Sequence, residues 1–206
     1  MFDEVVRPRF ARVAAPASLA LARLGVTPSQ VTWAGFLLAL GAAGLVATRH
    51  PVLGLAVWLV SRVADGLDGV LARATGQKTP FGAYLDITLD MAAYCAMVAG
   101  FALLHPTHHA LWMAVLIGYI LNITTTLALA AVAADRREVL TPGNRTFQFT
   151  RGLAEAGEAS VVYVLWALLP GAVLLVGWTW CALLAATVVQ RTWLAWAGLP
   201  RHDRRD

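Results

Sequence analysis

The chain has 206 residues, 59% of them hydrophobic and 14% charged, with a formal net charge of +4. Soluble domains run about 45–50% apolar and about 25% charged, so an ordinary soluble domain is excluded, as are a disordered chain and a coiled coil. A single all-α integral membrane domain over 1–206 is the expectation.

Of the 16 basic residues all but Lys78 are Arg. They are scattered between apolar runs and form no patch, which favours anionic lipid and phosphate groups as partners and excludes nucleic acid. Cys95 and Cys181 lie inside apolar runs and read as small packing residues, not as a disulfide.

In chain order, residues 1–29 come first. Val6, Phe10, Val13, Ala17, Leu21 and Leu24 recur at helical spacing, with Arg7, Arg9, Arg12 and Arg23 as cationic points. This pattern predicts an amphipathic helix lying in the membrane interface, broken at Pro8 and Pro16. Asp3, Glu4 and Arg23 argue against a signal peptide. Thr27-Pro28-Ser29-Gln30 then opens the first span with a capping box.

A span needs roughly 17–25 apolar residues. Six such stretches follow, at about 30–48, 52–74, 82–104, 110–134, 156–170 and 172–196, making a membrane core over 30–197 and a tail over 198–206. Pro170-Gly171 predicts a tight turn between the last two. With six spans, the Arg residues of the N-terminal segment, Lys78, Arg136, Arg137, Arg145, Arg151, Arg201, Arg204 and Arg205 share one side, and Arg191 lies near it. The opposite loops offer only Arg49. The excess of positive charge places both termini in the cytoplasm. His105, His108 and His109 fall in an opposite loop and read as surface histidines. Trp33, Trp58, Trp112, Trp178, Trp180, Trp193 and Trp196 read mostly as interfacial belts.

Four carboxylates stand where a membrane protein should avoid them. Asp65 and Asp68 lie late in the second span, Asp86 and Asp90 early in the third. Spacings of three and four put each pair on one helix face. A short cytoplasmic loop joins the two spans, so the pairs share a depth and can face each other. A central Asp costs about 2.5–3.5 kcal/mol on insertion scales, and only Arg62 and Arg73 are close in sequence to offset the four. Converging acids with a deficit of cations make a cation site. Oxygen ligands without His or Cys nearby point to Mg²⁺ or Mn²⁺. Gly66, Gly69 and Gly82 would let a bulky ligand approach the backbone, and Arg73 suits a phosphate.

Asp65-x2-Asp68-Gly69-x2-Ala72-Arg73-x8-Gly82-x3-Asp86-x3-Asp90 resembles the signature of the CDP-alcohol phosphotransferases at all its fixed positions. Thr27-Pro28-Ser29-Gln30-Val31-Thr32 resembles that family's Pro-Asn-x-x-Thr opening, with Ser29 where Asn is usual. The resemblance implies an inner-membrane enzyme of phospholipid biosynthesis with its site on the cytoplasmic side, working as a homodimer. An acceptor hydroxyl attacks the lipid-bearing phosphate of a CDP-lipid, most simply CDP-diacylglycerol, and CMP leaves. Carried over by position, Asp65, Asp68, Asp86 and Asp90 hold two divalent ions. Asp65, Asp68, Gly69, Ala72, Arg73, Gly82 and Thr32 bind the nucleotide, and Asp90 takes the acceptor's proton.

Arg145 and Arg151 are the candidates for an acceptor phosphate, as in glycerol 3-phosphate or inositol phosphate. Glu155 and Glu158 open the fifth span beside them. Met91 follows Asp90 where several branches of the family carry a basic residue, so the chain is no close match to the phosphatidylglycerophosphate or phosphatidylinositol types, and the acceptor stays open, with serine and a lipid hydroxyl as the alternatives. A cation-coupled transporter is the rival from another class, but it should show broken helices or repeats at the midplane, and neither is visible.

Overall fold

The structure is a computed structural model that describes residues 2–135 and 156–198, all of them helices and connecting turns. The helices are α1 (Phe2–Arg23), α2 (Pro28–Ala47), α3 (Pro51–Ala74), α4 (Pro80–Leu104), α5 (His109–Asp135), α6 (Ala156–Leu168) and α7 (Val173–Gly198). Short 3₁₀ turns, Pro106–His108 and Pro170–Ala172, join α4 to α5 and α6 to α7. The second is the expected turn at Pro170-Gly171.

Helix starts follow local chemistry. Proline occupies the first turn of α2, α3 and α4, where the missing N–H costs nothing. Thr27 and Gln30 form the expected capping box: the Gln30 amide donates to Thr27 Oγ1 at 3.4 Å and the Thr27 amide to Gln30 Oε1 at 2.9 Å. Thr79 caps α4 by accepting from the Gly82 amide at 3.0 Å.

Among the described residues, four helical segments are long and apolar enough to cross a bilayer: Pro28–Ala47, Pro80–Leu104, Pro106–Val132 and Pro170–Ala197. The chain is therefore a multi-pass membrane protein. The other two expected stretches are also helical. The α3 helix is diluted by Arg62, Asp65, Asp68 and Arg73, and the apolar Gly157–Leu168 of α6 is shorter than the roughly 20 residues a span needs.

Two structural features differ from expectation. The α1 helix runs unbroken through Pro8 and Pro16. It packs on α3 and buries Ala14 and Ser18, and that packing outweighs the two backbone bonds the prolines cannot make. Trp58, Trp112 and Trp180 are core residues rather than belt residues, each at most 3% exposed, whereas Trp33, Trp178, Trp193 and Trp196 do lie on the surface.

The core has two parts. Helices α2, α3 and α4 meet through small residues, Ala42 against Gly54 and Ala43 against Gly100, with Ala39 buried on the same helix. Beside them, Trp58, Tyr94, Phe101, Tyr163 and Trp166 pack edge to face or tilted, with ring centroids 5.1–6.2 Å apart. Buried hydroxyls tie the helices together. Tyr163 donates to the Tyr94 carbonyl at 3.0 Å and Trp180 Nε1 to Tyr119 Oη at 3.3 Å. Cys95 and Cys181 are free thiols.

Candidate active site

The site forms where the last turns of α3 meet the first turns of α4. Intervals of three and four residues aim Asp65 and Asp68 from one helix, and Asp86 and Asp90 from the other, toward the shared seam. One carboxylate oxygen from each of Asp65, Asp68 and Asp86 lies within 4.8 Å of the other two. Among the described residues this is the only such gathering of potential metal ligands. Oxygens bound to one hard cation at about 2.0–2.6 Å stand up to about 4–5 Å apart across it. The spacing and the all-oxygen donor set fit a divalent ion of the Mg²⁺ and Mn²⁺ kind.

Burial is graded across the acids: Asp68 is 6% exposed, Asp65 and Asp90 are half-buried, and Asp86 is exposed. The buried one has a dedicated partner. Thr32 of α2 places its hydroxyl 2.5 Å from Asp68 Oδ2, and Thr32 Oγ1 also lies 3.1 Å from the Pro28 carbonyl. That contact ties the start of α2 to the acidic seam.

Beside the trio lies a pocket of about 310 Å³. Thr32, Asp68, Gly69, Ala72, Arg73, Gly82 and Asp86 line it, with Lys78 and Gln77 from the α3–α4 loop. The Arg73 guanidinium lies over Gly69, 3.4 Å from where a Cβ would stand. A pocket with carboxylates on one wall and Arg73 and Lys78 on another can take a diphosphate bridged to cations.

Asp90 is arranged differently. Its Oδ1 accepts from Arg62, which also lies 3.8 Å from Asp65 Oδ2. The guanidinium carbon sits 4.3 Å from the Trp58 ring centroid and 5.2 Å from that of Tyr94.

Residues 25–190 match the family model for CDP-alcohol phosphatidyltransferase. The chain belongs to this family. It is 32% identical over its whole length, and the relative's whole length, to the inner membrane protein YnjF of Escherichia coli. It is 30% identical to the archaetidylinositol phosphate synthase of Pyrococcus horikoshii, over 76% of this chain and 77% of that one. Its fold resembles the phosphatidylinositol phosphate synthase of Mycobacterium tuberculosis solved with CDP-DAG bound, with a TM-score of 0.71, 24% identity, and 95% and 99% of the two chains covered.

Within this CDP-alcohol phosphatidyltransferase, the expected nucleotide residues Thr32, Asp68, Gly69, Ala72, Arg73 and Gly82 come together around one pocket, and Asp65 stands in the adjoining acid trio. Asp90 stands apart from that trio, with Arg62. Gly66 has another use than expected: the Phe10 ring of α1 lies 2.7 Å from where its Cβ would be, so it seats α1 instead of opening the backbone to a ligand. Arg145 and Arg151, with Arg136, Arg137 and Glu155, lie outside the described residues. Arg191 was expected to serve topology, yet it is 5% exposed and donates to Asn122 of α5. Arg62, expected only to offset the acids, is the hydrogen-bond partner of Asp90.

Proposed function

We propose that the chain transfers the lipid-bearing phosphate of a CDP-lipid, CDP-diacylglycerol in the first instance, to the hydroxyl of a phosphorylated polyol. The observation that carries this reading is the convergence of three motif carboxylates within 4.8 Å beside a pocket holding Arg73. The archaetidylinositol phosphate synthase relative makes inositol phosphate the first acceptor to try and glycerol 3-phosphate the second.

Asp65, Asp68, Asp86 and Asp90 hold two divalent ions, Mg²⁺ or Mn²⁺. When bound, the ions neutralise the diphosphate and stabilise the departing CMP. The chain's own residues do the rest. Thr32 fixes Asp68 through its hydroxyl, and Arg73, with Gly69 kept bare beneath it, holds the diphosphate. Ala72 and Gly82 leave room for the nucleotide on the pocket wall. The acceptor oxygen bonds to the lipid-bearing phosphorus as the bond to the CMP oxygen breaks, and the hydroxyl proton passes to the Asp90 carboxylate. Arg145 and Arg151 serve an acceptor phosphate.

Helices α2 to α7 form a six-span membrane domain, with α1 in the interface and both termini and the site cytoplasmic; the whole of 1–206 is one domain that pairs as a homodimer. The predominance of positive charge on the side of Lys78 supports that orientation.

The decisive experiment incubates purified protein with CDP-diacylglycerol, Mg²⁺ and an acceptor panel of inositol phosphate, glycerol 3-phosphate, inositol and serine, reading CMP and the lipid product. CMP should appear only with a phosphorylated acceptor and should vanish in excess chelator. Undiminished release in chelator overturns the metal-dependent reading. Arg145→Ala or Arg151→Ala should raise the acceptor KM, since a charged hydrogen bond of about 1.5–3 kcal/mol is lost. Orientation is tested separately by labelling single cysteines with an impermeant maleimide. Cys at Lys78 should react only from the cytoplasmic side and Cys at His108 only from the other; reaction of both from one side overturns the topology.

A further inference from the structure

We infer that Arg62 is a positioning residue for the transfer, fixing the Asp90 carboxylate through Oδ1 so that Oδ2 is presented to the acceptor hydroxyl. The inference rests on the proposed reading of Asp90 as proton acceptor.

Arg62 could simply offset four acids in a membrane, and an arginine with that task would lie among the three gathered carboxylates. Arg62 keeps only a long ion pair with one of them, Asp65, at 3.8 Å, one turn on along α3, and makes its hydrogen bond across the seam to Asp90 on α4.

Its seat is also built. The guanidinium lies 4.3 Å from the ring centroid of Trp58, which is fully buried, and its Nε donates to Ser61 Oγ at 3.4 Å. The Trp58 ring is anchored in turn, because its Nε1 donates to Ser160 Oγ of α6 at 3.2 Å. Tyr94, which approaches the same guanidinium, is held from α6 by the Tyr163 hydroxyl on its carbonyl. Three helices thus locate one guanidinium, and that guanidinium locates one carboxylate. Offsetting charge needs no such framework.

Asp68 and Asp90 form a matched set in this respect. Asp68 is oriented by Thr32 from α2, and Asp90 by Arg62 from α3. Partners that orient a ligating or reacting carboxylate typically account for about 10–100-fold in activity or metal affinity.

The test uses full-length protein with Arg62→Gln and Arg62→Lys. With CDP-diacylglycerol and the acceptor that wild type uses, Arg62→Gln should lower kcat about 10–100-fold with little change in the KM for CDP-diacylglycerol. Arg62→Lys keeps an N–H donor for Oδ1 and should restore much of the loss. A thermal cycle on chelator-treated protein reads the same pair without turnover. Asp90→Asn leaves the half-buried guanidinium an acceptor but no opposite charge at position 90, so the Arg62→Gln/Asp90→Asn double variant should melt above the sum of the two single losses, by a few °C.

Wild-type kcat in Arg62→Gln overturns the inference, as does an equal loss of CDP-diacylglycerol affinity, and so does an additive thermal cycle. If wild type releases no CMP with any acceptor, the proposed function falls, and the thermal cycle still decides whether Arg62 holds Asp90.

Discussion

Replacing Asp90 with Asn should reduce CMP release by about 10²–10⁴-fold, the usual weight of a positioned general base, while leaving CDP-diacylglycerol binding closer to wild type than Asp65→Asn does. The difference follows from placement. Asp65 contributes an oxygen to the trio within 4.8 Å, so on the proposed reading its loss would remove a ligand from the cations that would hold the diphosphate. Asp90 lies beyond that trio and is tied to Arg62. An amide at position 90 can still accept from the guanidinium, but it cannot take a proton from the acceptor. Turnover measured beside donor binding without acceptor separates the two variants. Equal loss of binding in both would make Asp90 an ion ligand and nothing more.

The acidic centre was legible in the sequence because helical spacing alone decides it. Residues three and four apart share a face, and a short loop between two helices makes those faces neighbours. The caps at Thr27 and Thr79 are equally local, since each needs only a hydroxyl and an amide three residues on. Local rules explain why the acid pairs and the Thr27 capping box appear at the expected positions, and the Thr79 cap follows the same rule.

What the sequence hid depends on partners far along the chain. Trp58 looks like a belt residue by its distance from a span end; only the packing of Tyr94 and Tyr163 around it, 36 and 105 residues away, makes it core. Arg62 reads as charge balance until α4 is laid beside α3 and Asp90 is the acid it meets. Gly66 sits among motif residues and invites a functional reading, yet its neighbour is Phe10 of α1, which no periodicity in either segment announces. The same holds for Arg191, whose companion Asn122 lies on α5. In each case the side chain is consistent with two surroundings, and tertiary packing selects one.

That packing can be tested at two glycines remote from the acids. A Cβ at Gly54 would stand 2.7 Å from both the Ala42 carbonyl and Val46 Cγ2, and one at Gly100 would stand 2.6 Å from the Ala43 carbonyl. Ala42 and Ala43 are consecutive on α2, so the two glycines let α3 and α4 close on α2 from different sides. Backbone atoms cannot rotate away as a side-chain end can. Gly54→Ala and Gly100→Ala should therefore destabilise by about 1–3 kcal/mol or more, the cost of overpacking a fitted interior. Gly44 on α2 has nothing within 4 Å of its would-be Cβ. Gly44→Ala should leave the melting temperature unchanged or raise it, since Ala is the better helix former by about 1 kcal/mol. Thermal unfolding of the three variants is the measurement, and wild-type melting of both Gly54→Ala and Gly100→Ala would refute the close approach. The effect should reach the chemistry as well. The α2 helix carries Thr32, whose hydroxyl is 2.5 Å from Asp68, so forcing α2 outward at its far end loosens the contact that ties α2 to the most buried acid of the trio. In the two interface variants CDP-diacylglycerol binding should weaken along with stability, and in Gly44→Ala neither should fall.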